Sequence, residues 1–140
     1  MKRITVLLAD HNKVVRTAFR KLLEGEADLE VVGEVSNGRQ AVARAKKLRP
    51  AVVLMDVSMP LLNGLQATRE ILAADPKTKV LMLSADSEEA YIEESLKAGA
   101  RGYLLKQSSL EKACDAIREV HKGKMVFSAS IPRRLHKLTR

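Results

Sequence analysis

The chain has 140 residues, 46% of them apolar, with 25 Lys and Arg against 17 Asp and Glu, a formal net charge of +8 and one cysteine. That length suits one domain able to bury roughly two-thirds of its unfolded surface; a single Cys114 excludes an internal disulfide, and no apolar run is long enough for a membrane span. After Glu119 there is no acid, and Lys122, Lys124, Arg133, Arg134, Lys137 and Arg140 hold most of the excess charge, so the remaining body has 19 cations against 17 acids and no basic stripe to track phosphates.

Two cations open the chain, but the apolar run behind them is short and meets Asp10 without a small-residue cleavage site. It reads as a strand of a cytoplasmic protein, ITVLLA from Ile4 to Ala9. Val15, Phe19 and Leu22 then recur at helical spacing up to Gly25, a C-terminal cap. LEVVGEV (Leu29 to Val35) is the second strand, followed by a helical pattern at Ala41, Val42, Ala45 and Leu48 that Pro50 stops. AVVLM (Ala51 to Met55) is the third, and Leu65, Thr68, Ile71 and Leu72 form the helix ended by Pro76. KVLMLSA (Lys79 to Ala85) precedes a helix carrying Ala90, Ile92 and Leu96, capped by Ser87 and Gly99. GYLLK (Gly102 to Lys106) precedes the last, with Leu110, Ala113, Ile117 and Val120 between Ser109 and Gly123; Cys114 falls near its apolar stripe as a small buried hydrophobe.

Five strand–helix units in which the first and third strands are apolar on both faces predict an α/β fold, a doubly wound five-stranded parallel sheet covered by helices on both sides. The domain spans residues 1–123, and residues 124–140 read as a basic extension or the start of a linker.

Ligands of such sheets bind outside the carboxyl ends of the strands. Those ends carry Asp10 and His11, Asp56, Ser84 and Lys106. A carboxylate can take a phosphoryl group as a nucleophile, and the charge that builds on the phosphoryl oxygens calls for a divalent cation and a fixed ammonium nearby. Asp56 is the candidate acceptor, Asp10 a ligand of Mg²⁺, Lys106 the ammonium and Ser84 a hydroxyl donor. Singly, a strand-end Asp caps a turn and a strand-end Lys is solvated; the placement of all four at one sheet edge favours the chemistry.

With LLAD at Asp10, VVLMDVSMPLLNGLQA around Asp56, LMLSA at Ser84 and AGARGYLLK with Tyr103 and Lys106, the chain resembles the receiver domain of two-component response regulators over residues 3 to about 123. The resemblance implies the flavodoxin-like strand order 2-1-3-4-5 and phosphoryl transfer from the phosphohistidine of a sensor kinase to Asp56. It also implies a metal site completed by the backbone carbonyl of Ser58, and a switch in which Ser84 moves toward the phosphoryl group while Tyr103 turns inward. Pro60 and Gly64 fit the loop after the acceptor, where proline fixes φ and glycine permits a tight turn. Such a domain is a switch, not an enzyme beyond its own phosphorylation and dephosphorylation.

The chain departs from that pattern at His11, which stands where the family has its second acid. Imidazole suits Zn²⁺, Ni²⁺ or Cu²⁺ better than Mg²⁺, so weaker magnesium binding is expected, with less carboxylate repulsion in the metal-free domain. Gln107 follows Lys106 where many receivers have proline, and a trans bond is expected there. The ending GKMVFSASIPRRLHKLTR resembles the exit from the receiver in NarL/LuxR-type regulators, which implies a homodimer on activation and DNA binding through a domain absent from the chain. A haloacid-dehalogenase-like phosphatase would need an acid at Ser58, and a flavodoxin a glycine- and hydroxyl-rich loop after the first strand. The competing reading is a pseudo-receiver, a binding module switched without phosphorylation.

Overall fold

The computed structural model describes residues 2–85, 89–106 and 110–128. Six parallel strands, β1 (Ile4–Ala9), β2 (Leu29–Val35), β3 (Val52–Asp56), β4 (Lys79–Ser84), β5 (Gly102–Leu105) and β6 (Val126–Phe127), lie in the order β2-β1-β3-β4-β5-β6. Helices α1 (Lys13–Glu24), α2 (Gly38–Leu48), α3 (Gly64–Ala74), α4 (Glu89–Lys97) and α5 (Ala113–His121) connect them.

Because successive strand side chains point to opposite faces, each central strand feeds two cores. Val6, Leu8, Val52, Leu54, Leu81, Leu83 and Leu104 pack with Phe19 and Leu23 of α1 and with Ala113, Ile117 and Val120 of α5. Leu7, Ala9, Val53, Met55, Val80, Met82, Tyr103 and Leu105 pack with Ala41, Val42 and Ala45 of α2, Ala67 and Ile71 of α3, and Ile92 and Leu96 of α4. Cys114 is buried on the α5 face, and burial pushes its thiol pKa up.

The expectation of five strands is corrected to six, while the order of the first five is as expected. After α5 the chain returns beside β5, pairing Gly102 with Val126 and Tyr103 with Phe127. Two residues carry no readable alternation, and they fall among residues 124–140, which read as extension. The approach needs Gly102, since a Cβ there would lie 2.3 Å from the Val126 carbonyl oxygen.

Helix ends follow local chemistry. Asn12, Asn37 and Asn63 accept backbone N–H bonds as N-caps of α1, α2 and α3. Gly25 caps α1 in the right-handed region, while Gly99 and Gly123 follow α4 and α5 with φ of +106° and +94°. Helices α2 and α3 stop just before Pro50 and Pro76. The expected caps Ser87 and Ser109 and the bond to Gln107 lie outside the described residues.

Candidate functional site: a carboxylate pocket at the strand ends

Strands β1 and β3 are neighbours, so their carboxyl ends bring Asp10 and Asp56 together, and both are almost fully buried, at 3% and 1% exposure. Lys106, directly after β5, reaches between them: its Nζ lies 2.9 Å from Asp10 Oδ2 and 3.3 Å from Asp56 Oδ1. His11 closes the other side, with Nδ1 2.6 Å from Asp56 Oδ2 and 3.9 Å from Asp10 Oδ1. A carboxylate only accepts, so Nδ1 carries the hydrogen in the shorter contact. The ring is 48% exposed, unlike the carboxylates it covers.

Backbone donors complete the shell. Asp10 Oδ1 accepts the N–H of Asn12 at 2.9 Å, and Asp56 Oδ1 accepts the N–H of Ser58 at 3.0 Å. The Asp10 pKa is raised, first by burial and further by the charge of Asp56, against the lowering influence of Asn12 and Lys106. On the loop after β3, Gly64 donates its N–H to the Val57 carbonyl at 2.9 Å, and a Cβ on it would lie 2.1 Å from the Asp56 carbonyl oxygen. Close approach of α3 to β3 is therefore what demands glycine here. The left-handed residue of this loop is Leu61, with φ of +67°.

Of the residues singled out from sequence, Asp10, His11, Asp56 and Lys106 form one contiguous cluster, and Ser58 joins it through its amide. Ser84 is buried at the end of β4, and Tyr103 is fully buried within β5, opposite Met82 in the register. Two contributors escaped the sequence reading. Asn12 holds Asp10 while capping α1, and an asparagine just ahead of a helical pattern is a readable signal for that. Arg16 donates through Nη1 to the Asp10 carbonyl at 2.7 Å and pairs with Glu34 at 3.4 Å, a link with no local signature.

Asp10, His11 and Asp56 each offer a donor atom within 4.8 Å of the others, a set that can hold a metal ion. The two carboxylates fit Mg²⁺; the imidazole does not, because that hard ion takes oxygen ligands.

The family profile for the response regulator receiver domain matches residues 6–118. Among curated relatives, the uncharacterized transcriptional regulatory protein YxjL of Bacillus subtilis is 41% identical over 125 residues, 89% of this chain and 57% of that protein. Response regulator GacA of Pseudomonas protegens is 39% identical over 132 residues, 94% of this chain and 62% of its own. The chain thus spans less than two-thirds of the length of these relatives. Among solved structures, a LuxR-family two-component response regulator from Aurantimonas superposes with a TM-score of 0.90 at 26% identity, over 97% of each chain. No helix among the described residues is long and apolar enough to cross a membrane. With a sheet order, a strand-end carboxylate pocket and a family match that agree over most of its length, this chain belongs to the response regulator receiver domains of two-component systems.

Proposed function

We propose that Asp56 is the phosphoacceptor of this receiver and that the chain relays a signal from a sensor histidine kinase to the control of transcription. The observation that carries the reading is a carboxylate 1% exposed at the end of β3, with an ammonium at 3.3 Å and an amide donor at 3.0 Å on the same oxygen. Oδ1 is held by these donors. Oδ2 meets the half-exposed His11 ring and, at 3.4 Å, the His11 backbone N–H; with the ring rotated into solvent only that long amide contact stays, and Oδ2 is the oxygen that attacks. The P–N bond of the kinase phosphohistidine breaks, its electron pair returns to the imidazole nitrogen, and the new P–O bond forms on Asp56. Hydrolysis later transfers the phosphoryl group to water and restores the carboxylate.

In this step Lys106 neutralises charge on the phosphoryl oxygens, Asn12 and Arg16 hold Asp10 in place, and the hydroxyl of Ser84 donates to the phosphoryl group. A divalent cation held by Asp10, Asp56 and the Ser58 carbonyl supplies further positive charge when bound; His11 weakens Mg²⁺ there. Tyr103, fully buried in this structure, stands in the inward position that the switch uses when Ser84 moves toward the phosphoryl group. The receiver extends through β6 to Phe127, with the residues after it the extension toward an output domain, a homodimer on activation and DNA contacted only through that further domain. The name of the longer relative YxjL, a transcriptional regulatory protein, supports the transcriptional part.

A second reading is favoured by the 2.6 Å contact of His11 with Asp56: a pseudo-receiver in which the ring occupies the acceptor oxygen and the domain only binds a partner. Intact mass after incubation with acetyl phosphate, with Mg²⁺, Mn²⁺ or chelator, separates the two. Gain of one phosphoryl group, lost in Asp56→Asn, is the expected result. No gain with any cation, recovered in His11→Asp, would establish the pseudo-receiver.

A further inference from the structure

We propose that Asp10, His11 and Asp56 form a mixed nitrogen–oxygen cation site that favours borderline first-row ions such as Zn²⁺, Co²⁺ or Ni²⁺ over Mg²⁺.

The carboxylates are divided between two neighbours. Lys106 takes Asp10 Oδ2 and Asp56 Oδ1, whereas Asp10 Oδ1 and Asp56 Oδ2 lie on the side of the imidazole. An ion entering beside His11 therefore meets one nitrogen and two oxygens while the ammonium keeps its place. Donors about 2.0 to 2.2 Å from a common ion sit about 3.0 to 3.4 Å from one another. The Nδ1 separations of 2.6 Å from Asp56 and 3.9 Å from Asp10 bracket that range, so small side-chain shifts assemble the site. The ring's exposure provides entry, and on binding its proton passes from Nδ1 to Nε2 through solvent.

Donor chemistry sets the preference. An imidazole gains most with zinc, nickel, cobalt or copper, and offers little to magnesium, which strips its waters reluctantly and wants oxygen. One residue has thus altered which cation the pocket selects, while the acceptor carboxylate and the ammonium stay in place.

The proposal rests on the reading of this pocket as a receiver's cation site, yet its test reads metal binding alone, so its failure leaves phosphorylation of Asp56 standing. Co²⁺ is titrated into the unphosphorylated 140-residue chain by visible absorption, and Mg²⁺ by calorimetry, on the native chain, His11→Ala and His11→Asp. The expected result is Co²⁺ bound about tenfold or more tightly by the native chain than by His11→Ala, and Mg²⁺ bound about tenfold or more weakly than by His11→Asp. Asp10→Asn should also lose the cobalt band, and His121→Gln and His136→Gln should keep it. A band and affinity unchanged in His11→Ala, or equal Mg²⁺ affinities in the native chain and His11→Asp, would overturn the proposal. A thermal melt of each variant without metal confirms that it is folded before titration.

Discussion

With formal charges on Asp10, Asp56 and Lys106, the strand-end pocket sums to one negative charge when His11 is neutral and would sum to two with an acid in its place. Two charges about 4 Å apart interact by about 4 kcal/mol at an effective dielectric of about 20. Because the His11 side chain is half exposed, solvent screens most of that, and His11→Asp is expected to destabilise the metal-free chain by about 1 kcal/mol. Calorimetry with chelator present should show Tm lower by about 4 °C, and excess Mg²⁺ should reverse the loss. An unchanged Tm would mean that the imidazole does nothing for the electrostatics of the resting pocket. Asp56 and His11 are 45 residues apart in the chain, and nothing in the local pattern around His11 announces the contact.

At the level of the element, the pocket depends on how tightly α3 is seated against β3. Gly64→Ala would place a methyl group 2.1 Å from the Asp56 carbonyl oxygen, and the helix start would have to move. A loss of about 3 kcal/mol is expected, read from the urea midpoint, together with weakened phosphoryl acceptance. Helix α5 is fastened by Arg118, whose guanidinium meets Asp28 through Nε and Nη2 at 2.8 Å each, Glu26 at 2.5 Å and Asp115 at 3.0 Å. Arg118 holds the Asp28 carboxyl below its ordinary value of 3.8. A depressed folded-state pKa stabilises above the unfolded value and is lost as pH falls through the folded one. The native chain should therefore lose stability as pH drops below about 4, and Asp28→Asn should flatten part of that fall in acid melts. An equally steep fall in the variant would refute the role given to this pair.

Across the whole molecule, β6 converts the free edge of β5 into an interior position. Its contribution rests on Val126 N–H to the Arg101 carbonyl at 3.1 Å, Ser128 N–H to the Tyr103 carbonyl at 3.1 Å, and the Ser128 hydroxyl accepting from Leu105 N–H at 2.8 Å. Phe127 and Met125 pack against the core as well. At about 1 kcal/mol for each hydrogen bond, a chain ending at Gly123 should lose about 3 kcal/mol before the lost packing is counted. Hydrogen exchange should then quicken at Leu105, next to Lys106 of the pocket, while β1 and β2 stay protected. If exchange at β5 is unaffected, the edge strand has no part in holding the site.

The alternation of strands and helices was legible from the residues alone, because apolar spacing is a local property that each segment carries alone. The parallel sheet was legible too, since runs such as VVLMD leave no face for solvent, as was the placement of Asp10, Asp56, Ser84 and Lys106 at strand ends. Which of those ends touch depends on the packing of the whole sheet. Lys106 bridges two carboxylates and His11 binds Asp56 because β1, β3 and β5 converge at one edge, and convergence is a matter of register between strands, not of any one of them. The sixth strand was hidden for the same reason: two residues have no period, and Val126 and Phe127 extend only because β5 offers them unpaired backbone groups. Arg16 and Arg118 acquire their partners in the same way, since only the fold sets the Asp10 carbonyl and a cluster of carboxylates within their reach.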